Sequence, residues 1–345
     1  MHAETRLRLQ NISLIIIIAL IFGLLYNLMF YPHTLTEFIE AGSISFLIGL
    51  MMGILEEFVF KKSFLKMEFY KVLIIRAVLY SFLVSIILSL VLSIEVAFEE
   101  QITYPKALVS YLKGPLFQRD FLFSISFAFL ILFIVQVIQL IGRANFLRLV
   151  LGLFHHPKEV ERLFMFVDIK GSTTIAEKLD NIAYSNLIKD FFLDLSDAVI
   201  LYRGEVYQYV GDEIIVVWPL KRAINAVPCF FKMNKIIDSK RMHYESHYHL
   251  FPQFKAGVHV GRVIVTEVGK LKKEIVYHGD VLNTTSRIEG KCNEFKQKLL
   301  ISESVLPFVD QQHLYNVEEQ GTILLKGKMD KINIFGVQPR NIGIR

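Results

Sequence analysis

The sequence predicts two folds in series: a membrane α-helical bundle, then an α+β domain with the ferredoxin-like β-α-β-β-α-β order. Uncharged apolar runs crowd the chain before residue 143, and Lys, Glu and Asp become frequent after residue 160. The later part also switches between period-two strand patterns and helical ones. A chain of 345 residues holds two ordinary domains, and this break in composition puts them in different solvents. The expected organisation is a transmembrane domain over 1–142, a linker over 143–160 and a soluble domain over 161–345.

Ile12 to Phe30 carries no charge and is long enough to cross the hydrocarbon core, which takes about 20 residues of helix. No small-residue cleavage site follows it, so it reads as an anchor rather than a signal peptide. Ala41 to Leu55 is apolar but short, bounded by Glu40 and by Glu56 and Glu57, and spans only if Glu40 snorkels or the flanks contribute. Ala77 to Ile94, preceded by Arg76, and Phe121 to Ile141 complete a set of four. An even number returns the chain to its starting side. Arg6 and Arg8 precede the first span, Lys61, Lys62, Lys66 and Lys71 fill the second loop, and Arg143 and Arg148 follow the fourth. These regions are expected in the cytoplasm. The first loop, Tyr31 to Glu40, has no Lys or Arg, and the third, Glu95 to Arg119, mixes signs. The chain therefore reads as a multi-pass protein of the cell membrane, with its N-terminus and soluble domain cytoplasmic.

The net charge of +5 lies mainly beside the apolar runs, where it bears on topology, and no basic stripe with interleaved aromatics points to nucleic acid. Cys229 and Cys292 are the only cysteines and have no C-x-x-C spacing, so neither a disulfide framework nor a thiolate zinc site is suggested. The linker is amphipathic in places (Phe146, Leu147, Val150, Phe154) and broken by His155, His156 and Pro157.

In the soluble domain a strand is expected over Leu163 to Val167, helices over Thr173 to Leu201, and a hairpin of Glu205 to Val210 with Glu213 to Trp218 around Gly211 and Asp212. A helix over Arg222 to Ser239 and strands at Phe254 to Val260 and Val263 to Val268 close the pattern. In such a sheet the first strand pairs antiparallel with the third, so Asp168, ending the first, abuts Asp212 at the hairpin tip. Alone, Asp168 fits a helix cap and Asp212 a turn. Together they are two clustered carboxylates, which repel unless a cation lies between them, and hard divalent ions favour such oxygens together with substrate phosphates. Ile169 to Thr173 adds a Gly-containing turn into a helix, whose N–H groups suit an anion, with Gly171 permitting close approach. Asn283 and Arg287 have helical i, i+4 spacing and share a face.

From about Arg162 to Val337 the sequence resembles the class III adenylate and guanylate cyclase catalytic domains. Five ordered stretches carry the resemblance: Phe-Val-Asp-Ile-Lys-Gly-Ser-Thr (166–173), Tyr-Val-Gly-Asp-Glu (209–213), Ala-Gly-Val-His-Val-Gly-Arg-Val (256–263), His-Gly-Asp-Val-Leu-Asn-Thr-Thr-Ser-Arg-Ile-Glu (278–289) and Leu-Lys-Gly-Lys (325–328). The resemblance implies that Asp168, Asp212 and Ile169 hold two divalent metal ions, Mg²⁺ or Mn²⁺, which activate the ribose 3′-hydroxyl and neutralise the triphosphate. It implies that Asn283 orients the ribose and Arg287 stabilises charge at the α-phosphate. Lys326 matches the family's triphosphate lysine, and Lys255 stands where some members place a phosphate-binding Arg; Gly171, Ser172 and Thr173 would line the substrate. Family sites form between two catalytic domains, so a homodimer with two equivalent sites is expected.

The purine-reading pair departs from the family. Adenylate cyclases carry Lys, then Asp or Thr, where this chain has Gln208 and Val276. Gln both donates and accepts, but Val offers the exocyclic amine no acceptor, and the Glu and Cys of guanylate cyclases match no better. The expected reaction is ATP to cyclic AMP, with GTP or relaxed base choice as the alternative and an inactive nucleotide-binding sensor as the rival outside the enzymes. His243, His247 and His249 read as a solvated loop rather than a metal tract, and Trp218 as packing.

Overall fold

A computed structural model of the chain describes residues 3–30, 34–60, 69–142, 146, 148, 150–153, 155–310, 314–324 and 331–340. The chain divides into two compact units between residues 146 and 147.

The first unit contains α1 (Ala3–Phe30), α2 (Leu35–Leu55), α3 (Phe69–Glu99), α4 (Tyr104–Lys113) and α5 (Pro115–Ile141). Four of these, α1, α2, α3 and α5, are long and apolar enough to cross a membrane. Ile15, Met52, Leu73, Tyr80 and Leu132 pack at its core. The second span is longer than the sequence suggests. Thr34 caps α2 by accepting the Glu37 N–H at 3.3 Å, so the helix starts six residues before Ala41 and takes in Glu37 and Glu40. Beyond Leu55 it continues as a π-helical turn, Glu56–Phe60. Glu56 and Glu57 do not end the span because both carboxylates are satisfied inside the bundle. Glu56 is ion-paired with Arg76 and accepts from Tyr80 Oη at 2.9 Å, and Glu57 accepts from Asn11 Nδ2 at 2.6 Å. Buried ionisable groups at membrane depth persist only with such partners. The expected third loop is largely helical, formed by the end of α3, α4 and the start of α5, the last two each opening on a Pro in the first turn. Lys71 lies within α3. Lys61, Lys62, Lys66 and Arg143 fall outside the described residues.

The second unit runs β1 (Lys158–Ile169), α6 (Ser172–Lys178), α7 (Asn181–Leu201), β2 (Glu205–Val210), β3 (Glu213–Pro219), a 3-10 turn (Leu220–Asn225), α8 (Ala226–Ser239), α9 (Arg241–Tyr248), β4 (Phe254–Val268), β5 (Glu274–His278), α10 (Asp280–Gly290), β6 (Leu299–Ser302), a 3-10 turn (Glu303–Phe308), β7 (Tyr315–Leu324) and β8 (Lys331–Pro339). The strands form one sheet in the order β2-β3-β1-β4-β6-β8-β7, with β5 pairing with β4. β1 is antiparallel to both β3 and β4, so the first four strands have the ferredoxin-like order. Alternation along β1 divides the core. Leu163, Met165, Val167 and Ile169 face Leu187, Phe191 and Leu195 of α7 and Phe230 and Met233 of α8, whereas Phe164 and Phe166 pack on the other face with Ile215, Val217, Val263, Val265 and Val281.

Four local expectations are corrected. β1 begins at Lys158, five residues before Leu163, and β4 is one unbroken strand where two were expected. The two corrections have one cause: the charged start of β1 pairs with the far half of β4, Lys158 opposite Val265 and Arg162 opposite Gly261, so Gly261 and Arg262 lie in a ladder rather than a turn. The segment with His243 and His247 is helix α9, not loop, because Tyr244 and Tyr248 at i, i+4 spacing dock on α7. Tyr244 Oη donates to Asp194 at 2.8 Å and Tyr248 Oη to Asp190 at 2.6 Å. The three histidines are nonetheless exposed, with His249 capping the helix in a left-handed conformation. The helix expected from Arg222 starts as the 3-10 turn and becomes α-helical at Ala226. Trp218 is fully buried and donates Nε1–H to the Tyr202 carbonyl at 3.0 Å.

Candidate active site

Register places the first functional group. Asp168, next to last in β1, pairs with Glu213 of β3 on one side and with Lys255 of β4 on the other. All three lie on the sheet face of Phe166 and Ile215. Asp212 precedes Glu213 in a tight turn that Gly211 enables by taking a left-handed φ of 62°. The strand end and the hairpin tip therefore meet, as the sequence predicts.

A second element closes over this face. Helix α10 lies directly on β4 because Gly257 has no side chain: a Cβ there would come within 2.3 Å of Glu289 N and 2.7 Å of the Thr285 carbonyl. That close approach brings the Glu289 carboxylate, 6% exposed, against Lys255, 7% exposed. Lys255 Nζ donates to Glu289 Oε1 and lies 3.3 Å from Asp168 Oδ2. Its ammonium is thus shared between two carboxylates.

Four carboxylates, Asp168, Asp212, Glu213 and Glu289, thus cluster together, with one ammonium set between Asp168 and Glu289. Burial, hydrogen bonding with Asp212 and the charges of Glu289 and Asp212 push Asp168 up to about 7 against the partial relief of Lys255. Burial and then the charges of Glu289, Asp168 and Asp212 push Glu213 up to about 7. Burial opposes the charge on Lys255, but the hydrogen bonds and charges of Glu289 and Asp168 outweigh it and raise its proton affinity. The Tyr184 phenol is also held up, by burial and by Asp212 and Asp168.

Among the described residues of this unit, the side-chain atoms that are buried without a hydrogen-bond partner are Asp212 Oδ2, Tyr277 Oη and Arg287 Nη1. A buried carboxylate oxygen and a buried guanidinium nitrogen left unpaired are costly, and such atoms mark places where a bound species completes the structure. The groups around Asp212 Oδ2 are hard oxygen donors short of positive charge, and that donor set fits a divalent ion such as Mg²⁺ or Mn²⁺. Arg287 Nη1 is a charged donor without an acceptor, which suits an anionic group.

Asn283 and Arg287 both lie on α10, Asn283 exposed and Arg287 half-buried. Ile169 pairs with Phe254 and buries its side chain in the core, so only its backbone is available to a ligand. Gly171, left-handed at φ 67°, leads into Ser172 and Thr173 at the start of α6. Gln208 is exposed on β2, and Val276 is half-buried on β5 opposite Thr266. Their neighbours touch: the Tyr277 N–H donates to Tyr207 Oη at 3.3 Å. Lys326 lies outside the described residues. Glu289, Glu213 and Tyr184 were not singled out in the sequence. Glu289 had a legible signal, since it follows Thr285 at i, i+4 on the face that meets the Gly257 gap.

The raised proton affinities set a pH dependence. Binding a divalent ion has to displace protons from Asp168 and Glu213 below about pH 7. Mn²⁺ affinity of the full chain, measured by titration calorimetry, is expected to rise between about pH 6 and 8, by up to ~10-fold per pH unit for each proton displaced. A pH-independent affinity would contradict the cluster. The metal-free fold has the opposite trend: because these acids bind protons more tightly folded than unfolded, their contribution to stability falls as pH rises from about 4 to about 7.

Residues 158–338, more than half of the chain, match the family described as the adenylate and guanylate cyclase catalytic domain. Adenylate cyclase 2 of Rhizobium meliloti (strain 1021) is 31% identical over 210 residues, covering 60% of this chain and 58% of that protein. The receptor-type guanylate cyclase gcy-28 of Caenorhabditis elegans is 25% identical over 172 residues, 47% of this chain and 13% of that one. The chain therefore spans less than two thirds of the length of either relative. A solved structure of a bacterial light-regulated adenylyl cyclase superposes with a TM-score of 0.53 at 21% identity, covering 62% of this chain and 64% of that chain, and so shares the fold.

Proposed function

The chain belongs to the adenylate and guanylate cyclase catalytic-domain family, and from that premise we propose that it is a membrane-bound adenylate cyclase converting ATP to cyclic AMP and diphosphate at a site shared by two copies of the chain. The observation that carries this reading is the pair of unsatisfied buried groups of opposite sign, Asp212 Oδ2 and Arg287 Nη1. A triphosphate with its divalent ions brings what each lacks, positive charge for Asp212 and negative charge for Arg287.

In the reaction, the ribose 3′-oxygen forms a bond to the α-phosphorus as the bond from that phosphorus to the bridging oxygen breaks, and diphosphate leaves. When bound, the two divalent ions would lower the proton affinity of the 3′-hydroxyl and offset charge on the triphosphate. Asp168, Asp212 and the Ile169 backbone would hold them. Arg287 meets the charge that grows on the α-phosphate, where preorganised positive charge contributes most. Asn283 orients the ribose. Gly171, Ser172, Thr173 and Lys326 receive the phosphates. Lys255 keeps Asp168 and Glu289 in one place and limits their mutual repulsion, which makes it a positioning residue.

ATP is the favoured substrate, and the Rhizobium meliloti relative carries the name adenylate cyclase. GTP is the second reading, favoured by Val276, which has no acceptor for the adenine amine. A nucleotide sensor without activity is opposed by the presence together of Asp168, Asp212, Asn283 and Arg287. Following the Lys and Arg distribution, the helices anchor the cyclase domain on the cytoplasmic side.

Mixing two inactive variants tests the shared site. Asp212→Asn and Arg287→Ala each remove one half of it, and a mixed dimer restores one intact site of two. Equal co-expression is expected to recover about a quarter of wild-type turnover by random pairing. Mixtures as inactive as either parent would overturn the shared site.

A further inference from the structure

The first unit contains a cavity of about 650 Å³ between α1, α2, α3 and α5, the size of pockets that take small organic molecules. Its walls are mostly apolar, with Met52, Leu88, Leu92 and Phe127 among them. One end is not. The carboxylates of Glu37 and Glu40, near the start of α2, and of Glu95, near the end of α3, line it with oxygens all within 4.8 Å of one another. Asn27 of α1 lines the same cavity and is only 3% exposed. Its Nδ2 donates to the Glu37 carbonyl at 3.3 Å, but its Oδ1 is buried with no hydrogen-bond partner. Asp120, also in the wall, is satisfied by Tyr26, Tyr111 and Arg119.

We propose that this cavity is a binding site for a protonated amine carried on an apolar chain or ring. The orphan amide oxygen and the carboxylates of Glu37 and Glu40 are all acceptors, so the ligand has to bring N–H donors and positive charge. The apolar walls would then cover its hydrocarbon part. A bare divalent ion would use the acidic end and leave most of the cavity without a ligand atom. All four polar groups sit at helix ends next to the first and third connections, which the Lys and Arg distribution puts on the non-cytoplasmic face. The ligand would therefore enter from outside the cell, on a unit to which the cyclase reading gives only an anchoring role. The amine is either free or the headgroup of an aminolipid, since both present the same ammonium and apolar body.

The test is binding of radiolabelled decylammonium to the full chain in phosphatidylcholine nanodiscs. The expected result is saturable binding of about one molecule per chain, weakened at least ~10-fold by Asn27→Leu and by Glu40→Gln, with n-decanol failing to compete. Glu40 is exposed near a helix start, so its variant keeps the test valid if Asn27→Leu fails to fold. Including phosphatidylethanolamine separates the sources: competition identifies an aminolipid, and its absence a free amine. Uptake no greater than in empty nanodiscs, equal affinity in both folded variants, or competition by n-decanol would overturn the site. So would Glu40→Gln binding one Mn²⁺ fewer than wild type, which would make it a metal site.

Discussion

Asp212→Asn is expected to lower cyclic nucleotide production by about a thousandfold while the protein still folds and inserts, because it removes one charge from the pair proposed to hold the divalent ions and keeps the side chain's shape. Asp212 sits in the turn after Gly211, and its Oδ2 is buried and unpartnered, so a substitution at that atom breaks no hydrogen bond. The variant also separates the two readings of the acidic cluster. With the Asp212 charge gone, one cause of the raised proton affinity of Asp168 disappears, and the metal-free protein should be no less stable than wild type near pH 7. Turnover is read by product formation and stability by thermal unfolding. Wild-type turnover would mean that Asp212 is only a turn residue.

Lys255→Met is expected to have the largest effect on stability in the cyclase domain. It leaves Glu289, 6% exposed, without its ion-pair partner beneath α10. Removing one member of a buried pair costs about 3–5 kcal/mol, whereas replacing both by apolar groups is often nearly neutral. The double variant Lys255→Met with Glu289→Leu should therefore recover most of the lost stability. The single variant should also move the pH dependence of turnover upward, since Lys255 holds down the proton affinity of Asp168 and its loss raises it further. Equal unfolding midpoints for single variant and wild type would show that the pair carries no weight.

These two residues differ in how far the sequence reveals them. Asp168 and Asp212 are legible because each belongs to a local pattern, a strand end and a Gly-Asp turn, and the antiparallel pairing of β1 with β3 follows from the order of elements. The pairing of Lys255 with Glu289 is not local. It depends on a helix coming to rest on a strand, and that depends on the missing side chain of Gly257. The same distinction explains the elements that differ from expectation. Gly261 and Arg262 resemble a turn until the extended β1 supplies a partner for them, and the polar sequence of α9 hides two tyrosines that dock it on α7. In the first unit, Glu56 and Glu57 look like the end of a span because a charge in hydrocarbon is costly. Arg76, Tyr80 and Asn11, on other helices, remove that cost, and nothing in the run itself announces them.

Gln208 and Val276 remain the positions where sequence and family pattern part, and their strands are linked through Tyr207 and Tyr277. The most direct measurement is therefore a product assay on the full chain in membranes, offering ATP and GTP separately with Mg²⁺ or Mn²⁺ and resolving cyclic AMP from cyclic GMP. Cyclic AMP from ATP, in excess of any cyclic GMP from GTP, is the expected result; no cyclic nucleotide with either substrate and either ion would contradict the assignment of this chain as a cyclase.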